Sequence, residues 1–316
     1  MCIYVQDFGV VKMVYGIYVK LRSLRWFNTI NVLIMCMFFV ACLYPFYYIF
    51  ITSISSPVAV ARGFYLIPTK VSFSTYDGLF RRNDIIGAFI VSVSRTVIGT
   101  LITIFLSSFF AFLATKPEMM FRKFIYRFII VSMYINAGLI PWYITMRMYG
   151  LQNNFFVYIV PGALNAYFII LVKTFIEQLP PSLEESASLD GANLLTIFLF
   201  IIVPLSKPIL ATIAVYAAVG QWNSWMDNFF LVRNKNLQTI QLILYNYMDE
   251  AQRIAQNMQQ MSGAGGFAAA MPDRILITPV SVKMAATVVT VFPIMLVYPF
   301  LQKYFVKGIM MGAIKG

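Results

Sequence analysis

Six stretches of predominantly apolar sequence alternate with short polar segments along the chain, near 29–54, 86–114, 125–147, 154–176, 200–226 and 278–301. A helix of about 20 apolar residues spans roughly 30 Å, the thickness of the hydrocarbon layer. The pattern predicts an all-α polytopic membrane protein with six transmembrane helices. A polar N-terminal segment at 1–28 precedes the membrane domain at 29–301, and a tail at 302–316 follows it. Besides an outer loop at 55–85, two segments of the membrane domain are set apart, at 178–204 and 227–277. The second contains a helix-like stretch at 237–261 and then a glycine-rich SGAGG. That helix is read as a packed cap or as a surface for a partner. The first apolar stretch is too long for a signal-peptide core and has no clear cleavage site after it, so it reads as an anchor.

Composition supports the membrane assignment and removes several function classes. Hydrophobic residues make up 60% of the chain and charged ones 11%, with a mean hydropathy of +0.77. That is too little charge to cover a water-soluble protein of this length. The net charge of +12 is spread over short interhelical segments, which matches lipid headgroups and topology signals rather than nucleic acid. Lys and Arg favour the segments that include both termini and 178–204, placing these on the cytoplasmic side of the membrane. Cys2, Cys36 and Cys42 form neither a disulfide framework nor a metal spacing. Histidine is absent, which removes the commonest general base and the usual zinc and iron ligands. No acid falls in the middle of a span, against an ion-coupled carrier, and no nucleophile or metal constellation points to a membrane enzyme.

The segment QLPPSLEESASLDGANLLTIFLFIIVPLSKP at 178–208 stands apart. Pro180-Pro181 stops one helix and prepares another. Ser182 is a candidate N-cap, with Glu185 completing a capping box. Gly191 is a helix stop, because glycine accepts the left-handed backbone that ends helices. Asn193 is placed to cap a second helix that runs to Val203-Pro204. A joining loop needs far fewer residues, so a rigid helix–turn–helix carrying acids reads as a docking element.

This segment resembles the EAA loop of ABC importer permeases: Glu-Ala-Ala, three residues, Gly, nine residues, then Ile-x-Leu-Pro. Here Glu185-Ser186-Ala187 precedes Gly191 by the same spacing, and Ile201-Ile202-Val203-Pro204 closes the pattern, with Ser186 and Val203 as the departures. NAGLIPWYITMRMYGLQNNFFVYIVPGALNAYFIILVKTFIEQLP at 136–180, WNSWMDNFFLV at 222–232, VYPFLQKYFVKG at 297–308 and MGAIKG at 311–316 are similar to the maltose-transporter-like carbohydrate permeases, in their multi-sugar or lipoprotein-associated branch.

The resemblance implies a type I ABC importer permease fold and a non-catalytic subunit of an ATP-driven sugar importer. Its implied partners are a second homologous permease, two ATPase subunits and an extracytoplasmic solute-binding protein. This chain would bind no cofactor, since ATP and Mg belong to the ATPases; it has no Walker A pattern of its own. Glu184, Glu185, Ser186, Ala187, Asp190, Gly191 and Ala192 are the expected ATPase contact, with Lys315 and Gly316 of the tail as further candidates. Tyr134, Asn136, Trp142, Tyr143, Gln221, Trp222 and Asn223 are candidates for the sugar pathway, as aromatic faces and amides that suit hydroxylated guests. The same residues also fit an interfacial aromatic belt and, at Asn136-Ala137-Gly138, a kink. Arg95 and Lys283 lie within spans near the outer third and are expected to snorkel. Were they to face the pathway, an acidic sugar such as a uronate would be their natural guest.

Overall fold

The computed structural model describes residues 7–56, 60, 67, 70–80, 84–263 and 279–313, which are mostly helical, with one isolated bridge, Ser55 to Val71. The first helix, α1, runs Asp7–Ile54 without a break, through Pro45. Its apolar side chains from Trp26 to Phe46 stay exposed, as befits a surface solvated by hydrocarbon. Among its described side chains, those buried lie in the last turn, with Ile51, Thr52 and Ser53. A short α2 (Ser74–Phe80) sits at this end and bonds it through the Tyr76 hydroxyl, which donates to Ser53 Oγ at 2.8 Å.

The central span is α3 (Asp84–Leu113). Around it pack α6 (Ala166–Ile176), α9 (Lys207–Asn223) and the start of α11 (Ile240–Gly263), while α12 (Pro279–Ala313) packs on α1, α9 and α11. One core layer groups Phe112, Val172, Phe198, Ile202 and Ile213, with Phe105 and Phe109 set around the Phe198 ring. A second joins Trp222, Ile240, Ile243, Leu244, Ala285 and Ala286, so the first two turns of α11 form a packed cap.

Among the described residues three helices are long and apolar enough to cross a membrane: Trp26–Ile54, Ile85–Leu113 and Val280–Val297. Two bent pairs bring the number to five if each counts as one span. The stretch expected as a third span at 125–147 is two separate helices, α4 (Arg122–Ser132) and α5 (Leu139–Met148). The break lies at Gly138, whose φ of 81° and ψ of 179° suit glycine almost alone. Asn136 fixes it by accepting the Gly138 amide at 2.9 Å.

The fourth stretch begins as two tight turns, Phe155–Tyr158 and Val160–Gly162, and bends 47° before α6, which Asn165 caps. The fifth bends 85° between α8 (Leu194–Leu205) and α9, at Ser206. Pro204 and Pro208 flank this corner and remove amides that a continuous helix would need. The straight helix of that stretch therefore starts at Lys207 rather than 200. Inside α8, Phe198–Ile202 form a π-helical turn.

Candidate functional site

Two features stand out, one a projecting surface and the other a polar cavity. The projection is α7 (Ser182–Leu189), its glycine turn and the start of α8. The expected capping box does not form. Pro181, not Ser182, is the N-cap, and no side chain completes it. Proline's fixed φ starts the helix early, so the amides of Glu184 and Glu185 donate to the Pro181 carbonyl at 3.0 and 3.1 Å. Glu184 and Glu185 sit in the first turn, where the helix dipole favours negative charge.

The far end closes as the sequence predicts. Gly191 takes φ 82°, its amide donates to the Ser188 carbonyl, and that of Ala192 donates to Ala187. This paired arrangement satisfies the last carbonyls of the helix. It also brings Ala187 and Ala192 together against the core layer that holds Phe198. Asn193 caps α8 by accepting the Thr196 amide at 2.8 Å.

The result is a two-faced unit. Ala187 and Ala192 pack inward, and Glu184 is ion-paired with Lys116. Glu185, Ser186, Asp190 and Gly191 are exposed, and Leu189 is 89% exposed at the tip. Lys315 and Gly316 lie outside the described residues.

The cavity, of about 310 Å³, lies between α3, the 155–162 turns, α6, α9 and α10 (Met226–Leu231). Arg95 on α3 is 2% exposed, so the expectation that it snorkels is overturned. The break that faces it follows α9, at Ser224, and supplies partners for it. Its guanidinium donates to Asp227 through both terminal nitrogens, at 3.2 and 2.5 Å, and to the Ser224 carbonyl at 3.1 Å. Its Nε donates to Gln221 Oε1 at 3.2 Å, and its plane lies 4.4 Å from the centre of the Tyr158 ring. A buried guanidinium is tolerated only when paired and hydrogen-bonded like this. Lys283, by contrast, is exposed.

Of the candidate pathway residues, Trp142 and Gln221 line this cavity, and Tyr143 packs beside Trp142 against the Tyr158 layer. Trp222 turns away, donating its indole N–H to the Thr290 carbonyl at 3.1 Å and lining a separate apolar groove with Phe89 and Val97. Tyr134, Asn136 and Asn223 are exposed and do not join the cavity. Sequence reading missed Tyr158, Asn165, Tyr216 and Asp227. The signal available was a buried cation demanding an acid, with Asp227 sitting one residue beyond the expected end of the fifth span.

No protein-family model matches the chain. It is 33% identical over 293 residues to the polygalacturonan/rhamnogalacturonan transport system permease protein YtcP of Bacillus subtilis, covering 92% of this chain and 99% of that one. It is 31% identical over the same length to protein LplC of that organism, with 92% and 96% covered. Among solved structures it resembles a chain of a bacterial ABC transporter involved in the import of the acidic polysaccharide alginate. There the TM-score is 0.76 at 29% identity, covering 90% of this chain and 98% of that one.

Proposed function

The chain belongs to the permease subunits of ABC sugar transport systems, and we propose that it forms half of the path for an acidic oligosaccharide. A second, homologous permease supplies the other half, two separate ATPase subunits bind and hydrolyse ATP with Mg, and an extracytoplasmic solute-binding protein delivers the sugar. The acidic character of the cargo is supported by the relatives that carry polygalacturonan or alginate.

The observation that carries the coupling role is the exposed tip of the α7–α8 turn, with Leu189 at 89% exposure between Glu185, Asp190 and Gly191. A leucine exposed to this degree on a projection closed by a glycine turn is an anchor suited to a cleft on a partner. ATP-driven closure of the ATPase pair would push on this unit and rock the permease halves, a rigid-body change of the kind such interfaces support. The Lys116–Glu184 pair ties the 114–121 segment to α7, and the Lys and Arg bias supports the reading of both, with the termini, as cytoplasmic. The uncovered apolar flank of α1 suits lipid and the second permease.

The test is recovery of the complex in mild detergent, for wild type and Gly191→Trp, with the proteins identified by mass spectrometry. Wild type should bring down an ATPase and a second permease. The variant should stay in the membrane with its permease partner and lose the ATPase. Wild type recovered without any ATPase, under conditions that keep such complexes intact, would sink the coupling role.

A further inference from the structure

We propose that the Asp227 carboxylate holds the seat on Arg95 that a carboxylate of the transported sugar takes during transport. This rests on the reading of the chain as a sugar-importer permease and adds to it a residue pair that sets specificity. The argument starts from charge. Arg95 and Asp227 cancel one another inside a cavity whose other polar linings, Asn165, Gln221 and Trp142 among them, are neutral. Adding a carboxylate with Asp227 still on Arg95 would set two negative charges against one guanidinium whose fork is already taken, which is costly. An acidic guest therefore fits only if Asp227 yields Arg95 to it.

The geometry suits such an exchange. Asp227 meets Arg95 with both oxygens, the fork that any planar carboxylate reproduces. Arg95 is held in place without Asp227, by the Ser224 carbonyl, the Gln221 amide oxygen and the Tyr158 ring. Asp227 has a second partner of its own, accepting the Asn228 amide at 2.8 Å, so a carboxylate swung off Arg95 is not left unbonded. A cavity of about 310 Å³ is within the range of small-ligand sites, roughly 300–1,000 Å³. Amides and an indole face around it are the groups that bind hydroxyls and sugar rings. Neutral sugars of the same size lack the carboxylate and have no means of displacing Asp227.

The two members of the pair then act in opposite directions, which a purely structural ion pair would not do. The complete transporter in proteoliposomes would be assayed for uptake of oligogalacturonate and of a neutral galactan oligosaccharide of equal length. Asp227→Asn removes the competitor and should lower the half-saturating concentration of oligogalacturonate by about tenfold, corresponding to roughly 1.4 kcal/mol, leaving the neutral sugar unchanged. Arg95→Gln should abolish the preference for the acidic sugar. Should either single variant fail to assemble, Arg95→Gln/Asp227→Asn removes both charges together and should carry the two sugars alike. Equal losses for both sugars in both single variants, or a double variant that keeps the wild-type preference, would overturn the exchange. An assembled wild type that moves neither sugar would instead strike at the cargo reading beneath it.

Discussion

Lys116, just past the end of α3, forms an ion pair with Glu184 in the first turn of α7, and the Lys116 ammonium also lies 4.3 Å from the centre of the Phe112 ring. The central span and the projecting unit are thus tied by a partly exposed contact, with side-chain exposures of 14% and 23%. Glu184→Gln removes the charge and leaves Lys116 half-buried beside an aromatic ring. Its thermal unfolding in detergent should shift by an amount equivalent to about 1 kcal/mol or less, the usual worth of a pair this close to the surface. ATP hydrolysis should become less dependent on substrate. Exchanging the charges, Lys116→Glu with Glu184→Lys, should recover part of both losses; no recovery would mean the pair is incidental.

Leu189 separates docking from folding. It touches little of the chain itself, so Leu189→Asp should leave the unfolding midpoint of the isolated subunit unchanged. Buried in an ATPase cleft, however, the new charge would be unpaired, and association should fall by tenfold or more, taking a desolvation cost of about 1–3 kcal/mol. Titrating purified ATPase against permease in nanodiscs measures this directly. Unchanged affinity would remove Leu189 from the interface.

At Gly191 two costs can be told apart. A Cβ there meets no atom within 4 Å, but φ is 82°. Gly191→Ala carries only the left-handed backbone strain, about 1–2 kcal/mol, and should retain most transport. Gly191→Asn, better tolerated in that conformation, should be milder still. If Gly191→Ala eliminates transport as fully as Gly191→Trp while the subunit remains folded, the partner approaches closer than a methyl group allows.

The turn chemistry around these residues was legible because it is local. Gly191 and Asn193 act on amides and carbonyls within five residues, and both do what their side chains dictate. Ser182 did not, since two prolines ahead of it had already committed the backbone. The broken spans were harder to read, as Ser132 and Leu139 lie on either side of a non-helical stretch whose residues remain apolar enough to sustain the hydropathy signal. Arg95 was the largest miss. Its partner Asp227 is 132 residues away, and nothing in the sequence near Arg95 reports a contact that exists only once α9 has broken at Ser224.

Gly99 offers a way to disturb the cavity without touching either charge. It faces Gln221 so closely that a Cβ would lie 2.8 Å from Nε2 of that side chain. In Gly99→Ala the amide must turn, because it is the far end of a flexible side chain and yields more easily than backbone. The turn withdraws Oε1 from Arg95 Nε, now 3.2 Å away. One hydrogen bond to a charged group is then lost, worth about 1.5–3 kcal/mol, while Asp227 and Ser224 still hold the guanidinium. Uptake should weaken through a several-fold higher half-saturating concentration, with ATPase association intact and membrane level unchanged. Adding Gln221→Ala to Gly99→Ala should cause little further loss, since the contact is already gone. If the two substitutions instead add in full, Gln221 serves the cavity by some route other than its bond to Arg95.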